Sequence, residues 1–186
     1  MVVGVATVVS LIGAVAWSRA VGDDGADFDD DVVLDETGEF VDPAGTNPPV
    51  TSDTLPDVEL ETADGTAVRL RSDGRPMVVN LWYSTCPPCA RELPAFAAVH
   101  EELGDRVRFV GVNPHDTVEA MERFAADRGV TYDLLRDPDF ELTNALGVIA
   151  FPVTLFVGPD GTIVGQHGTI DGPELRESIA AHWGIG

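Results

Sequence analysis

From Val58 onward the apolar residues of the chain recur with two different spacings, one typical of strands and one typical of helices. In Val58–Leu60 and Val68–Leu70 apolar and polar residues alternate, and Asp64-Gly65 between them is a turn, so this stretch predicts a β-hairpin. Met77–Tyr83 is apolar nearly throughout, as in a strand that is covered on both faces. The hairpin and this strand mark the beginning of a folded domain.

Helices and strands are predicted to alternate along the rest of the chain. A first helix follows the buried strand, because apolar residues recur at helical spacing from Leu93 to Leu103, and Pro94 inside it is expected to kink it. Asp116–Glu119 has the pattern of a capping box and predicts a second helix that ends near Gly129. The other predicted elements are strands over 107–112, 131–135, 153–157 and 162–167, and helices over 139–146 and from 171 onward.

The order of these elements predicts the fold class. After the N-terminal hairpin come β, α, β, α, β, α, β, β and α, and Gly158–Gly161 forms the turn between the last two strands. Such an alternation predicts an α/β domain with a mixed central sheet and helices on both faces.

The N-terminal residues follow neither period. Val2–Trp17 carries no charge and would measure about 24 Å as a helix, against about 30 Å for the hydrocarbon core of a bilayer. We expect residues 1–20 to be a signal anchor or a cleaved signal peptide, with Ser18–Ala20 as the cleavage site in the second case. A buried core helix is the alternative, and the acidic residues that follow argue against it.

Charge and composition set the boundaries of the folded domain and exclude some partners. Residues 21–52 are rich in Asp, lack an apolar period and contain Pro48-Pro49, which predicts an acidic disordered linker before a domain over 53–186.

The net charge is −21, and all 11 basic residues are arginine. Such a surface repels nucleic acid and anionic lipid, so we expect no nucleic-acid partner and a membrane association only through the N-terminus.

Cys86-Pro87-Pro88-Cys89 contains both cysteines of the chain and lies where the buried strand gives way to the first helix. The free N–H groups and the positive dipole end of a helix N-terminus stabilise a thiolate. A thiolate can attack a disulfide, and a second thiol one helical turn away can release the mixed disulfide that results. The motif therefore predicts thiol-disulfide exchange.

Three other interpretations of the two cysteines remain open. A structural disulfide across so small a loop would contribute about 2 kcal/mol, against about 4.7 kcal/mol for a loop of about a hundred residues. Half of a zinc site would need two further ligands, and the 4 histidines do not show the spacing of a zinc knuckle. Two unreactive cysteines in the core are the third interpretation.

From Pro56 to the C-terminus the chain resembles the TlpA/ResA-like extracytoplasmic thiol-disulfide oxidoreductases of the thioredoxin-fold family. The residues that carry the resemblance are Pro56–Leu60, Val78–Trp82, Cys86–Cys89, Arg91–Pro94, Gly147–Phe156 and Gly158–Gly161. The resemblance implies a thioredoxin-like fold behind an N-terminal anchor or signal. Thr85 stands where the family commonly has a tryptophan, a difference that bears on substrate preference and not on the fold.

The resemblance also implies roles for individual residues. Cys86 would be the exposed attacking thiol and Cys89 the buried resolving thiol. Phe151-Pro152 would be a cis peptide that faces the two thiols, and the backbone of Phe151 would pair with a bound substrate. Trp82 is expected either to line this substrate site or to belong to the core.

Two prolines and one carboxylate bear on the redox chemistry. We expect Pro87 and Pro88 to line the substrate site. Neither has an N–H to donate to the Cys86 thiolate, and a thiolate with few donors is typical of a reductant. The alternative is that the two prolines only shape the turn. Glu92 resembles the acidic residue that the family places near the site, where it would exchange protons with Cys89. A solvated helix glutamate is the alternative. Asn80 stands where thioredoxins carry a buried acid.

Together these features predict an exported enzyme that reduces disulfides in other exported proteins, with a membrane thiol relay as its electron donor. The resemblance implies a role in cytochrome c maturation or in copper-site assembly of oxidases, and the sequence does not choose between them. We expect the Cys86–Cys89 disulfide to act without a cofactor or metal. A disulfide-forming oxidase of the same fold, and a copper-binding assembly factor that uses both thiols and His167, are the alternatives.

Overall fold

The computed structural model describes residues 47–51 and 53–186, and its strands form one seven-stranded sheet in the order β2-β1-β5-β4-β3-β6-β7. The strands are β1 (Glu59–Glu61), β2 (Ala67–Arg69), β3 (Met77–Leu81), β4 (Arg108–Asn113), β5 (Asp133–Arg136), β6 (Val153–Val157) and β7 (Ile163–His167). The helices are α1 (Pro87–Leu103), α2 (Val118–Ala126), α3 (Glu141–Ala145) and α4 (Gly172–Trp183).

β3 occupies the interior of the sheet because its sequence is apolar on both faces. All five of its residues are buried. It pairs in parallel with β4 and antiparallel with β6, so that Val79 lies between Val110 and Leu155. Successive side chains of a strand point to opposite faces, and β3 therefore contributes to the core above and below the sheet. Its carboxyl end is fixed inside the domain.

Helices cover both faces of the sheet, as the sequence predicts. On one face, apolar residues of α1, α2 and α4 pack against Val78, Phe109 and Phe156. On the other face, Leu142 of α3 packs with a second apolar cluster that includes Val79. Each large side chain that is fully buried in this way stabilises the fold by about 1.5–3 kcal/mol. The predicted mixed sheet with helices on both faces is confirmed.

The ends of α1 and α4 follow from their sequences. α1 is continuous through Pro94, and its predicted apolar face is buried. α4 begins after Asp171, whose side chain accepts the N–H of Glu174 while the Glu174 carboxylate accepts the N–H of Asp171. This reciprocal pair is a capping box, at the position where the sequence predicts the helix to begin.

The start of α2 differs from the prediction. Thr117 is the N-cap, and its hydroxyl accepts the N–H of Ala120 at 3.3 Å. The predicted capping box at Asp116–Glu119 is wrong, because the Asp116 carboxylate is bound to other residues. Of the apolar residues of α2, Met121 and Ala125 are buried, whereas Val118 and Phe124 are only half-buried.

The predicted leader over 1–20 and most of the predicted linker lie outside the described residues. Asn47–Val50, which belongs to the predicted linker, lies against the domain. Val50 is buried and its N–H donates to Gln166 Oε1 at 2.9 Å, and Gln166 Nε2 donates to the carbonyl of Pro48 at 3.2 Å. Within residues 47–51 and 53–186, no helix has the length and apolar character needed to cross a bilayer.

Asp137 fixes the position of α3. This carboxylate is buried between β5 and the helix, where Oδ1 accepts the N–H of Leu142 at 3.2 Å. Oδ2 accepts both the N–H of Thr143 at 2.9 Å and its hydroxyl at 2.7 Å. Because α3 leads directly into the loop over 147–152, Asp137 determines where that loop begins.

We expect Asp137→Ala to lower the free energy of unfolding by about 3 kcal/mol, since three buried donors would lose their acceptor. Asp139→Ala is the matched control: this aspartate is exposed in the same connection, and its removal should change stability by less than about 0.5 kcal/mol. Urea denaturation of the two variants measures both values. Equal losses would show that Asp137 is not the residue that holds α3.

Candidate active site

The two cysteines lie at the junction between β3 and α1. After β3 the backbone N–H of Trp82 donates to the carbonyl of Val112 at 3.1 Å, which keeps the chain beside β4. Cys86 is the N-cap of α1, and its sulfur accepts the N–H of Cys89 at 3.3 Å. The two residues form a disulfide with a Cα–Cα distance of 5.3 Å. The disulfide therefore lies at the N-terminus of α1, just after the end of β3.

Both half-cystines are buried in this oxidised state. Cys86 is 2% exposed and Cys89 is 0% exposed, so the expectation that Cys86 is exposed is wrong here. The disulfide holds its sulfur against the first turn of α1, within the apolar cluster on that face of the sheet. Thr85 and Pro87, which flank Cys86, are exposed. A partner therefore meets these two residues before it reaches the sulfur.

The two prolines of the motif occupy the first two positions of α1, where a helix has no partner for its N–H groups. Pro87 is exposed and Pro88 is half-buried. Since neither has an N–H, the amide of Cys89 is the first in the helix that can donate to the Cys86 sulfur. Among the described residues, the Cys89 N–H is the backbone donor to that sulfur.

Glu92 is buried one turn after Cys89 and is 3% exposed. Its Oε1 accepts from Asn80 Nδ2 at 2.9 Å, and its Oε2 accepts the N–H of Ile170 at 3.2 Å. Asn80 Nδ2 also donates to the Thr154 hydroxyl at 3.2 Å. Burial raises the pKa of the Glu92 carboxyl from 4.5 to about 7, and the two hydrogen bonds to it act in the opposite direction. The carboxyl can therefore hold or release a proton near neutral pH.

The loop before β6 packs, through Phe151, against the apolar cluster that contains both cysteines. The Phe151–Pro152 peptide bond is cis, as the resemblance implies, and Pro152 is buried. The Phe151 ring meets the Tyr83 ring edge-on at 5.3 Å and the His115 ring at 5.7 Å, and Tyr83 and His115 are 4.7 Å apart. Aromatic contacts thus join this loop to the residues just before the disulfide.

Trp82 belongs to the core. It is 0% exposed, and its ring stacks on Phe124 with centroids 5.6 Å apart. A side chain in that position does not touch a substrate, so of the two expected roles the structure favours packing over substrate binding. Tyr83, His115 and Phe151 instead form an aromatic cluster that includes a residue of the loop before the disulfide, and the sequence analysis singled out only Phe151 of these three.

Asp116 is a residue of this region that sequence reasoning missed. Its carboxylate accepts the backbone N–H and the hydroxyl of Ser84, both at 2.7 Å, and Asn113 Nδ2 at 2.7 Å. These bonds tie the loop that precedes Cys86 to the end of β4. The sequence offered one signal for this role, a carboxylate shortly after a buried strand. Because Thr117 follows it, Asp116 was interpreted as part of a helix cap instead.

Asn47 was also missed, because it lies in a stretch with the composition of a linker. Its Oδ1 accepts the N–H groups of Ile149 at 2.7 Å and Ala150 at 3.0 Å, and its Nδ2 donates to the Ala150 carbonyl at 2.8 Å. The side-chain amide therefore pairs with the loop as a neighbouring strand would. Ile149 itself is 71% exposed, so the loop presents an apolar side chain beside the cis peptide.

The described residues offer no second redox or metal centre to the two cysteines. Among residues 47–51 and 53–186 there is no group of three or more His, Cys, Asp or Glu side chains that could hold a metal ion. His167, a residue of the copper-binding alternative, lies on β7 with its ring against Phe156 at 5.5 Å.

Comparison with known proteins agrees with this geometry. The model of the AhpC/TSA family matches residues 51–166. The thiol-disulfide oxidoreductase ResA of Halalkalibacterium halodurans is 28% identical over 110 residues, which are 58% of this chain and 62% of that protein. The thiol:disulfide interchange protein DsbE of Pseudomonas fluorescens biotype C is 30% identical over 150 residues, 78% of this chain and 83% of that protein. The chain thus spans less than two thirds of the length of the ResA protein.

A solved structure shows the same fold. The crystal structure of a secreted Mycobacterium tuberculosis disulfide oxidoreductase, described as homologous to E. coli DsbE, superposes with a TM-score of 0.59 at 26% identity. The match covers 67% of this chain and 96% of that one. The domain is therefore thioredoxin-like, and its β1–β2 hairpin is the predicted N-terminal extension.

We expect Glu92→Gln to remove a pH dependence of stability. Because the pKa of Glu92 is raised to about 7 in the fold, its contribution to stability is full below about pH 4.5 and is lost as the pH rises through 7. Glutamine should be tolerated, since Asn80 can turn its amide and offer Oδ1, which has no hydrogen-bond partner in the described residues.

Urea unfolding of the oxidised proteins at pH 5 and pH 8 measures this effect. The variant should gain on the order of 3 kcal/mol relative to wild type between the two pH values. A difference between variant and wild type that is the same at both pH values would show that Glu92 titrates like an exposed glutamate.

We expect Asn47→Ala to free the loop at Ile149 and Ala150. The loss of three hydrogen bonds, each contributing about 1 kcal/mol net, should speed hydrogen exchange at these two amides by about tenfold or more. NMR hydrogen exchange measures this, and Asn144→Ala, at an exposed asparagine of α3, is the control. Unchanged exchange in Asn47→Ala would mean that the loop is held without Asn47.

Proposed function

We propose that this chain, which belongs to the AhpC/TSA family, is an extracytoplasmic thiol-disulfide oxidoreductase that reduces disulfides in other exported proteins. The observation that carries the proposal is the Cys86–Cys89 disulfide at the N-terminus of α1. Relatives named as thiol-disulfide oxidoreductase and thiol:disulfide interchange protein support it.

The exchange reaction uses the two thiols in turn. In the reduced protein the Cys86 thiolate attacks one sulfur of a substrate disulfide, forms a mixed disulfide and releases the first substrate thiolate. Cys89 then attacks the Cys86 sulfur, which re-forms the intramolecular disulfide and releases the second substrate thiolate. Two electrons pass to the substrate. An external dithiol returns them by the same steps in reverse.

Glu92 supports the second step in this proposal. A thiol must lose its proton before it can attack, and the Glu92 carboxyl, one helical turn from Cys89, has a pKa of about 7. It can accept the proton of Cys89 when the mixed disulfide resolves. It can return that proton when the pair is reduced again.

The direction of exchange follows from how well the Cys86 thiolate is stabilised. A strongly stabilised thiolate makes a pair oxidising, because the reduced form is favoured. Here Pro87 and Pro88 provide no N–H, and the Cys89 amide is the backbone donor to the Cys86 sulfur. The ionised Glu92 carboxylate adds a negative charge one helical turn after Cys89, which disfavours a second thiolate. Both features favour a reductant over an oxidant.

We propose partners and location from the same reasoning. Residues 1–20 act as the membrane anchor or export signal, residues 21–52 as the linker and residues 53–186 as the redox domain. A membrane thiol relay supplies the electrons, and exported proteins with disulfides receive them. The similarity to a protein described as secreted supports a place outside the cytoplasm. Cytochrome c maturation and oxidase copper-site assembly are the two settings in which we expect such substrates.

The reduction potential of the Cys86–Cys89 pair tests the direction. Equilibration with glutathione should give a value near the ≈ −270 mV of thioredoxin rather than the ≈ −120 mV of DsbA. A value close to that of DsbA would establish a disulfide-forming oxidase, the alternative that shares this geometry. Failure of the pair to exchange with glutathione at all would refute the proposed activity.

We expect Cys86→Ser to abolish exchange and Cys89→Ser to accumulate a mixed disulfide through Cys86. The reason is that Cys86 is the helix N-cap, beside the exposed Thr85 and Pro87, whereas Cys89 lies inside the first turn. Alkylation of the reduced protein followed by mass spectrometry identifies the more accessible thiol. Faster labelling of Cys89 than of Cys86 would reverse the two roles.

A further inference from the structure

Pro94 leaves a gap in the hydrogen bonding of the redox helix. In an α-helix the carbonyl of residue i accepts the N–H of residue i+4, and proline has no N–H. The Ala90 carbonyl of α1, directly after Cys89, therefore receives no such bond from position 94. A half-buried carbonyl without a donor is unfavourable by about 1–3 kcal/mol, so the fold needs a donor from elsewhere.

Arg128 supplies that donor from the connection that follows α2. Its Nε donates to the Ala90 carbonyl at 3.3 Å, and its Nη1 donates to the Phe124 carbonyl at 3.0 Å. The second bond holds the guanidinium at the end of α2. The first bond joins it to the turn of α1 that begins at the disulfide. The side chain thus completes α1 at the place where Pro94 cannot.

The same guanidinium is linked to the other side of the redox loop by stacking. Its central carbon lies 3.4 Å from the centroid of the Phe124 ring, and that ring stacks on Trp82 at 5.6 Å with an interplanar angle of 21°. Trp82 is the first residue after β3 and Ala90 the first residue after Cys89. Arg128 therefore contacts one end of the segment 82–90 directly, at Ala90, and the other end through Phe124, at Trp82.

Arg128 forms no ion pair with the residues that the structure describes. Every salt bridge found in the described part of the chain involves another arginine. The positive charge instead faces the Phe124 ring and the carbonyl of Ala90, the residue that follows Cys89. A positive charge near a cysteine favours its thiolate over its thiol and thereby the reduced state of the pair.

We propose that Arg128 is a positioning residue of the redox pair, which supplies the hydrogen bond that Pro94 withholds from Ala90 and keeps a positive charge beside the first turn of α1. The inference rests on the proposed function, because a redox role has meaning only if Cys86 and Cys89 exchange electrons. It assigns a purpose to a residue 39 positions after Cys89 in the sequence.

A set of variants separates the two parts of the proposal. Arg128→Met removes both the hydrogen bond and the charge, and Arg128→Lys keeps only the charge. Pro94→Ala restores an N–H at position 94, so that Ala90 regains a helical donor. Arg123→Met is the matched control, since Arg123 is exposed on α2 and pairs with Glu119. Each is made in the full chain.

The charge is tested by the equilibrium constant for reduction of Cys86–Cys89 by glutathione at a fixed pH. Arg128→Met should lower this constant by about threefold to tenfold, where tenfold corresponds to about 30 mV. Arg128→Lys should restore most of it, and Arg123→Met should leave it unchanged. If Arg128→Met exchanges normally but has the equilibrium constant of the control, Arg128 is a packing residue only and the proposal is wrong.

The hydrogen bond is tested by stability in a double-mutant cycle with Pro94→Ala. Urea unfolding of the oxidised proteins should show a smaller loss for Arg128→Met when alanine is present at position 94 than when proline is. Equal losses in both backgrounds would show that Arg128 does not substitute for the missing donor. Because glutathione exchange of the wild-type pair is recorded first, failure of the proposed function is distinguished from failure of this inference.

Discussion

The attachment of the N-terminus of α1 to the buried end of β3 is the constraint on which the rest of the site depends. β3 is held from both sides by pairing and from both faces by apolar packing, so its last residue has little freedom. A short loop then turns the chain into α1, whose own apolar face is buried in one of the two clusters. With both ends fixed, the loop sets where the two sulfurs meet.

The junction also explains why polar groups are buried next to an apolar core. Asn80, Thr154 and Glu92 come from β3, β6 and α1 and meet under the first turns of the helix. Burying a carboxyl without partners is unfavourable by several kcal/mol, and a carboxyl in that position gains a proton rather than remain charged. Two hydrogen bonds reduce this penalty, and the remaining part appears as the raised pKa of Glu92. The core thus holds a carboxyl group whose pKa lies near neutral pH.

Local patterns in the sequence were sufficient for the elements and for the thiol pair. The apolar run of β3, the helical spacing of α1 and the helix start near residue 171 all depend on neighbouring residues, and the structure agrees with them. The positions of Asp116, Asn47 and Arg128 were not predicted, since their partners Ser84, Ala150 and Ala90 are 32, 103 and 38 residues away. Such contacts exist only once the sheet has brought distant segments together, and single-sequence periodicity carries no information about them.

The pairing of Asn47 with the loop at 149–150 distinguishes the smallest part of the chain that folds from the smallest part that works. A chain shortened to residue 53 would keep both apolar clusters nearly whole, with Val50 as the one described residue lost from them, so we expect it to fold. It would lack the amide that holds the loop beside the cis peptide. A fragment that begins at residue 53 would therefore fold without holding this loop as the longer chain does, and the boundary of a functional domain lies before Asn47.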